Sequence, residues 1–449
     1  MGKIFGTDGA RGIANKELTV SLAFDLGKAG AYVLAGENRH KPKILIGADT
    51  RISSDMLMSA TEAGLCAMGA EVIRAGVITT PAVAYLTKFY NCDAGIVISA
   101  SHNSYEYNGI KFFNRDGFKL PDETENHIES IITDKVEISV KSHDEIGRIH
   151  KDCECVEAYC DFLINNCNTD LSGLNILLDC ANGAASAIAP KVFERTGCKV
   201  AHIHSSPDGL NINRECGSTH INSLAEHVKE GGFDIGFAYD GDADRLIAVS
   251  ERGEVIDGDV LMSVLALYLR GKGLLHKDTL VATEMSNMGI TVFGKNNSIE
   301  IIRTKVGDRY VTEEMRRGGY AVGGEQSGHI VLLPYTTTGD GILASLKIAE
   351  ILAENNIKAS SFFEIMKPLP QVLVNVRVDN EMKGKLKDDM EIQSLSEKVS
   401  KELGGAGRVM VRASGTEPLI RVMIEGEDYA FIENRANMIA DMIKSKLGR

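Results

Sequence analysis

The sequence predicts an α/β protein that ends in a smaller α+β region, on three observations. Short β-rich apolar runs alternate with helical patterns along most of the chain, glycine- and acid-rich turns punctuate them, and beyond residue 370 the order changes to strands with helices between. At 449 residues the chain exceeds what one hydrophobic core organises, and length alone suggests about three domains.

KILIGADTR (43–51) reads as a buried strand leading into an amphipathic helix over Ser54–Met68. AGIVI (94–98) is a second buried strand, and NILLDCANG (175–183) repeats the pattern with a helix expected over Ala185–Thr196. FDIGFAY and LIAVS flank an acidic turn, and YAV and IVLL flank a glycine-rich one. The charged stretch 134–152, the turn-rich ERGEVIDGD (251–259) and the proline-containing KPLPQ (367–371) read as junctions, which places boundaries near 150, 252 and 368. The last region contains the strands VLVNVRV and LIRVMIEG and closes on a helix over Tyr429–Leu447. The first three segments share a strand, turn, helix theme, although no sequence repeat is strong enough to prove duplication.

Composition narrows the function. Hydrophobic residues make up 44% and charged residues 25%, values of a folded globular chain. A formal net charge of -13 opposes nucleic acid, so an anionic substrate must be held by local basic groups. The nine cysteines lie between Cys66 and Cys216 without a CxxC pair and read as reduced cytosolic thiols. Cys153, Cys155, Cys160 and Cys167 cluster, but their spacing fits no common zinc pattern. The opening MGKIFGTDGARG carries no signal-peptide pattern, and apolar helical stretches such as Val260–Leu269 fall short of the roughly 20 residues that span a bilayer. The expectation is a soluble cytoplasmic protein with no nucleic-acid or membrane partner.

Four loops carry chemistry. SASHNSYEYNGIK (99–111) follows a buried strand and places hydroxyls at a sheet's edge, where a turn can expose one as a nucleophile; Ser99, Ser101 and Ser104 compete, and residue chemistry does not choose among them. DGDADR (240–245) places Asp240, Asp242 and Asp244 at alternate positions, so an extended backbone points all three carboxylates one way. Each converging pair at roughly 4 Å costs about 4 kcal/mol at an effective dielectric of about 20, which calls for a cation. All-oxygen ligation favours Mg²⁺, Ca²⁺ or Mn²⁺, and Arg245 at the sixth position, where an EF-hand needs glycine, argues against that reading. GGEQSGH (323–329) presents Glu325, Ser327 and His329 between glycines, a set able to bond sugar hydroxyls. RASGTEPLIR (412–421) offers Arg412, Ser414, Gly415, Thr416 and Arg421 to one anion, as a phosphate clamp would.

SASHN, DGDADR, GEQSGH and RASGT, in this order and spacing, resemble the α-D-phosphohexomutases over essentially the full length of the chain. FGTDGARG, PDGLNINRECGSTH, TKVGDRYV, the Gln of GEQSGH and RASGTEP resemble the branch that acts on glucosamine phosphates; relatives acting on mannose or glucose phosphates more often carry GEMSGH and RASNT. The resemblance implies four domains around a central cleft: 1–150 with the phosphoserine loop, 151–252 with the metal loop, 253–368 with the sugar loop, and a smaller α+β domain, 369–449, with the phosphate loop. It implies a phosphoserine at Ser101 and one Mg²⁺ held by Asp240, Asp242, Asp244 and a phosphate oxygen on Ser101. Lys111, then His329, would serve as general acid/base. Arg11, Arg245 and His102 would support the reacting phosphate. The implied reaction converts glucosamine 6-phosphate to glucosamine 1-phosphate through a 1,6-bisphosphate, with glucosamine or glucose 1,6-bisphosphate as primer, and feeds UDP-N-acetylglucosamine synthesis. The alternatives are phosphomannomutase or phosphoglucomutase specificity, a metal-dependent sugar phosphatase, and an inactive sugar-phosphate-binding relative. Two residues depart from the family pattern: Ser104 stands where proline is usual, and Ala243 where glycine is commoner.

Overall fold

The computed structural model describes residues 4–6, 8–35, 41–152, 154–405, 407–414 and 418–448. Two compact units divide the chain, residues 1–285 with 300–362, and residues 286–299 with 363–449.

The first unit holds three sheets. The first comprises β1 (Ala10–Ile13), β2 (Lys43–Ala48), β3 (Glu71–Val77), β4 (Ala94–Ile98), β5 (Tyr107–Asn114) and β6 (Arg148–Lys151), in the order β1-β5-β4-β2-β3-β6. The second comprises β7 (Asn175–Asp179), β8 (Lys199–Ile203), β9 (Ile235–Tyr239), β10 (Leu246–Ser250) and β11 (Val255–Ile256), in the order β11-β10-β9-β7-β8. The third comprises β12 (Thr279–Thr283), β13 (Glu300–Thr304), β14 (Val322–Gly324) and β15 (Ile330–Leu332), in the order β13-β12-β14-β15.

These sheets contain one repeated topology. Each has two parallel strands joined through a helix, a third parallel strand beside the first, and an antiparallel partner reached by a loop: β2, β3, β4 and β5, then β7, β8, β9 and β10, then β12, β13, β14 and β15. The repetition that the sequence only hinted at is therefore present in the strand order. SASHN, DGDADR and GEQSGH all occupy the same turn, between the third strand and its antiparallel partner. Loops at strand ends are where an α/β scaffold presents chemistry.

Local sequence explains the elements. β4 and β9 are buried along their whole length, as parallel strands covered on both faces require. The helix expected at Ser54–Met68 runs Ser54–Ala67. The one expected at Ala185–Thr196 is instead a short 3₁₀ turn, Ala184–Ala187, followed by the helix Ala189–Arg195, because Pro190 donates no backbone N–H and favours a helix start.

The helix Gly341–Asn355 is capped by Asp340, whose Oδ1 accepts the Leu343 N–H at 2.9 Å while its Oδ2 accepts the Tyr159 hydroxyl at 2.6 Å. Burial outweighs these donors and raises the Asp340 carboxyl from 3.8 to about 6. The folded state thus binds more protons than the unfolded chain between those values, so stability falls as pH rises through that window. Asp340→Asn keeps the cap and removes the charge. It should raise stability above pH 6 by up to about 3 kcal/mol and leave it unchanged at the acid end, read from urea unfolding at several pH values.

The second unit carries β16 (Gln371–Arg377), β17 (Arg408–Ala413) and β18 (Leu419–Glu425), an antiparallel sheet in the order β16-β18-β17, with the helix Tyr429–Leu447 packed on β16 and β18. Val372, Val422, Ile424, Ile432, Ile439 and Ile443 form its core. No helix among the described residues is long and apolar enough to cross a membrane.

Candidate active site

The three serines that residue chemistry left equivalent occupy different surroundings. Ser99 is fully buried and donates to Asp49 Oδ2 at 2.7 Å, while its Oγ accepts the Ser101 N–H at 3.0 Å. Ser104 is exposed. Ser101 alone of the three meets the acidic loop, donating from Oγ to Asp240 Oδ2 at 2.6 Å. Its backbone sits at φ +52°, a left-handed conformation that costs a non-glycine residue about 1–2 kcal/mol. Gly241 of the acidic loop passes against it, and a Cβ at Gly241 would fall 2.6 Å from the Ser101 carbonyl oxygen.

The carboxylates do converge. Asp240, Asp242 and Asp244 are buried and each offers an oxygen within 4.8 Å of the others. Backbone bonds hold the loop: Ala184 N–H to Gly241 O at 2.9 Å, Thr80 N–H to Asp242 O at 3.0 Å, and Gly341 N–H to Ala243 O at 3.0 Å. Ala243 itself lies at φ +58°, in the left-handed region that glycine occupies more readily. Asp242 Oδ1 and Asp244 Oδ1 are buried without a hydrogen-bond partner. Two orphaned anionic oxygens in an all-oxygen set fit a hard divalent cation, with Asp240, Asp242 and Asp244 as its holders.

Charge around the loop is asymmetric. Burial, then the Asp244 and Asp242 charges, push the Asp240 carboxyl well above the ordinary range. Burial also opposes ionisation of Asp244, but Lys111, His329 and Arg245 outweigh it and hold that carboxyl well below the ordinary range. Lys111 is buried on β5, with Nζ 3.0 Å from Asp242 Oδ2, 3.0 Å from Asp8 Oδ2 and 3.8 Å from Asp244 Oδ2. Burial disfavours its ammonium, yet the Asp242, Asp8 and Asp244 charges prevail and raise its pKa. A base at this position needs a depressed pKa; this arrangement stabilises the acid form instead.

His329 is buried, its Nε2 accepting the Gly339 N–H at 3.1 Å and its Nδ1 3.6 Å from Asp244 Oδ2. That pairing fixes the proton on Nδ1. Burial disfavours its cation, but Asp244 and Asp308 raise its pKa. Glu325 accepts the Gly307 N–H at 2.9 Å and the exposed Ser327 hydroxyl at 3.2 Å, so TKVGDRYV braces the sugar loop. Gln326 donates to Asp257 Oδ2 at 3.0 Å, which ties that loop to the N-cap of the helix Gly258–Gly271. Arg11 contacts Asp8 from β1, Arg245 Nε lies 3.9 Å from Asp244, and His102 Nδ1 is 3.4 Å from Ser101 Oγ. Burial, then the Arg245 and Arg11 charges, push His102 down to about 4.

In the second unit, Arg412 and Arg421 are direct cross-strand partners on β17 and β18. Like charges so placed repel, and an anion between them would offset the repulsion. The Ser414 N–H bonds Leu419 O at 2.9 Å, and Lys383 Nζ donates to Ser414 O at 2.9 Å. Gly415 and Thr416 lie outside the described residues.

Several participants escaped the sequence reading. Asp8 contacts Arg11, Lys111 and Lys119; Lys119 also meets Asp308; Thr80 Oγ1 donates to Asp242 Oδ2 at 2.6 Å. FGTDGARG and TKVGDRYV were visible as family markers, but nothing in them assigned these contacts. Cys155, Cys160 and Cys167 form no metal-capable group among the described residues, and Cys153 lies outside them. Asp179, His204 and Cys216 do cluster, yet Asp179 is engaged by the Ala181 and Gly217 N–H groups at 2.9 Å each.

The chain matches the phosphoglucomutase/phosphomannomutase family in four parts: alpha/beta/alpha domain I over residues 2–138, alpha/beta/alpha domain II over 157–253, alpha/beta/alpha domain III over 257–369, and the C-terminal domain over 373–442. It is 55% identical over 450 residues to a phosphoglucosamine mutase of Caldicellulosiruptor saccharolyticus, covering 100% of both chains. It is 53% identical over 447 residues to that of Caldanaerobacter subterraneus subsp. tengcongensis, again covering 100% of both. Among solved structures, a phosphoglucomutase/phosphomannomutase family protein from Burkholderia thailandensis superposes with a TM-score of 0.80 at 21% identity, covering 98% of this chain and 97% of that one. Aspergillus fumigatus N-acetylphosphoglucosamine mutase in complex with GlcNAc-6P and magnesium gives 0.70 at 18% identity, covering 99% and 96%. The chain belongs to the phosphoglucomutase/phosphomannomutase family, among the members named phosphoglucosamine mutase.

Proposed function

We propose that this chain interconverts glucosamine 6-phosphate and glucosamine 1-phosphate through phosphorylated Ser101 and one Mg²⁺, in the cytoplasm. The observation that carries the reading is the Ser101 hydroxyl 2.6 Å from Asp240 beside two orphaned carboxylate oxygens. Identity above half to relatives named for this activity supports the substrate.

Phosphorylated Ser101 gives its phosphoryl group to O1 of glucosamine 6-phosphate. The 1,6-bisphosphate turns, Ser101 Oγ recovers the 6-phosphoryl group, and glucosamine 1-phosphate leaves to feed UDP-N-acetylglucosamine synthesis. Either glucosamine or glucose 1,6-bisphosphate primes an unphosphorylated enzyme. Mg²⁺, when bound, neutralises charge on the transferring group. Lys111 holds its proton at Nζ and supplies positive charge at the same place, while His329 and Asp8 fix the groups around it. Arg11, Arg245 and His102 support the reacting phosphate, and Glu325 and Ser327 bond sugar hydroxyls. The four loops belong to domains bounded near 150, 252 and 368.

Arg412 to Thr416, with Arg421, hold the phosphate that is not being transferred. Arg412→Ala should then raise KM for the sugar phosphate about 10- to 150-fold, the loss of a charge-assisted hydrogen bond of roughly 1.5–3 kcal/mol. The feeble transfer to unphosphorylated glucosamine should fall far less; equal losses with both acceptors would contradict the clamp.

Side-by-side assays with glucosamine, glucose and mannose 6-phosphates test the function. Glucosamine 6-phosphate should give the highest kcat/KM. A preference for glucose or mannose phosphate would reassign specificity, release of inorganic phosphate without mutase product would indicate a phosphatase, and no turnover with primer and Mg²⁺ would indicate an inactive relative.

A further inference from the structure

The left-handed turn that carries Ser101 is held from beneath by two side chains outside the four loops. Arg51, just past β2, is 2% exposed. Its NH2 group donates to the carbonyls of Ser101 and Asn103 at 2.9 Å each, and its NH1 group to that of Ser104 at 3.1 Å. Asn213, 6% exposed in a loop of the second sheet's domain, donates from Nδ2 to the same Ser101 and Asn103 carbonyls, both at 2.9 Å. Asp49 braces the arginine, with Oδ2 3.0 Å from Arg51 Nε, and takes the Ser99 hydroxyl on the same oxygen.

The consequence is directional. Carbonyls 101, 103 and 104 all accept from Arg51, and those of Ser101 and Asn103 accept from Asn213 as well, so buried donors hold the turn. A turn whose carbonyls are fixed inward presents the Ser101 side chain outward, where it meets Asp240. The fork of a guanidinium reaches three carbonyls at once, which a lysine ammonium on a flexible stem does not reproduce.

We propose that Arg51, braced by Asp49, and Asn213 are positioning residues that hold residues 101–104 in the left-handed turn from which Ser101 exchanges phosphoryl groups. The inference rests on Ser101 being the phosphorylated residue. In the step they serve, the bond from phosphorus to a sugar oxygen breaks as the bond from phosphorus to Ser101 Oγ forms. The serine proton passes to the sugar oxygen. Arg51 and Asn213 bond backbone carbonyls and not the Ser101 Oγ, so they act through the backbone. A displacement of about 1 Å in such a geometry costs on the order of 100-fold in rate.

The test is single-turnover phosphorylation of the dephosphorylated, Mg²⁺-loaded protein by glucosamine 1,6-bisphosphate, with the modified peptide identified by mass spectrometry. Arg51→Lys keeps a charge beside Asp49 and should fold, yet transfer about 100-fold more slowly, with KM changed less than about threefold. Asn213→Ala, which removes no charge, should lose on the order of tenfold in the same step. Arg51→Ala leaves a guanidinium-sized space next to a cavity of about 650 Å³ lined by Asp49, Arg51, Met58, Arg74 and Asp208. Added guanidinium should therefore restore much of its transfer rate without affecting the wild-type protein. Wild-type transfer rates in both Arg51→Lys and Asn213→Ala would overturn the inference. So would a guanidinium effect on melting temperature alone, with no gain in rate. Phosphate on Ser99 or Ser104 of the wild-type protein would instead overturn the proposed function, and this inference with it.

Discussion

Ser101→Ala should lower mutase turnover by at least about 10⁴-fold, the scale on which removal of a covalent nucleophile is felt. No neighbouring hydroxyl can stand in for it. Ser99 is buried and committed to Asp49 and to the Ser101 N–H, and Ser104 faces solvent. The fold should persist, because alanine can be carried in the same backbone conformation and only the side-chain contacts to Asp240 and to His102 are lost. A melting temperature within about 4 °C of wild type is expected. Mass spectrometry after incubation with the bisphosphate should find no phosphorylated peptide. A phosphorylated, active Ser101→Ala protein would contradict the assignment.

Asp240→Asn should cost about 10²- to 10³-fold in turnover while sparing the metal-free fold. Burial and the two neighbouring carboxylates disfavour the Asp240 charge when no metal offsets it, so replacing it by an uncharged amide relieves that repulsion. With Mg²⁺ the two proteins should separate. A cation at 100 times its Kd stabilises the wild type by about 2.7 kcal/mol through mass action, and the variant should forfeit most of that. Thermal melts with and without Mg²⁺ measure it. An undiminished Mg²⁺-induced shift with full turnover would remove Asp240 from the metal site.

The sequence made the site's loops legible because each interrupts a run that folding must bury. AGIVI becomes β4, the last five residues of FDIGFAY become β9, and β14 runs from the Val of YAV into the two glycines after it; the polar residues that follow lie at the strand ends. Residue chemistry did not choose among Ser99, Ser101 and Ser104, since all three carry the same hydroxyl, and only the resemblance pointed to Ser101; Asp49 below and Asp240 above separate them physically in three dimensions. Contacts between segments far apart in the chain were equally invisible. Thr80 and Asp242 are 162 residues apart, and Asn213 and Ser101 are 112 apart. Periodicity reports which face of an element is buried, not which distant side chain meets it there. Lys111 is the clearest case: a lysine in YNGIKFFN reads equally well as a surface residue, and only Asp8, Asp242 and Asp244 around it account for its burial.

The central claim is that a phosphoryl group passes through Ser101 on its way between two oxygens of glucosamine. It is tested most directly by loading Ser101 with isotopically labelled phosphate from glucosamine 1,6-bisphosphate, removing the excess, and adding unlabelled glucosamine 6-phosphate with Mg²⁺. The label should leave the Ser101 peptide within one turnover and be found in the sugar phosphate pool. Label that stays on Ser101 while glucosamine 1-phosphate accumulates, or that is released as inorganic phosphate, would contradict it.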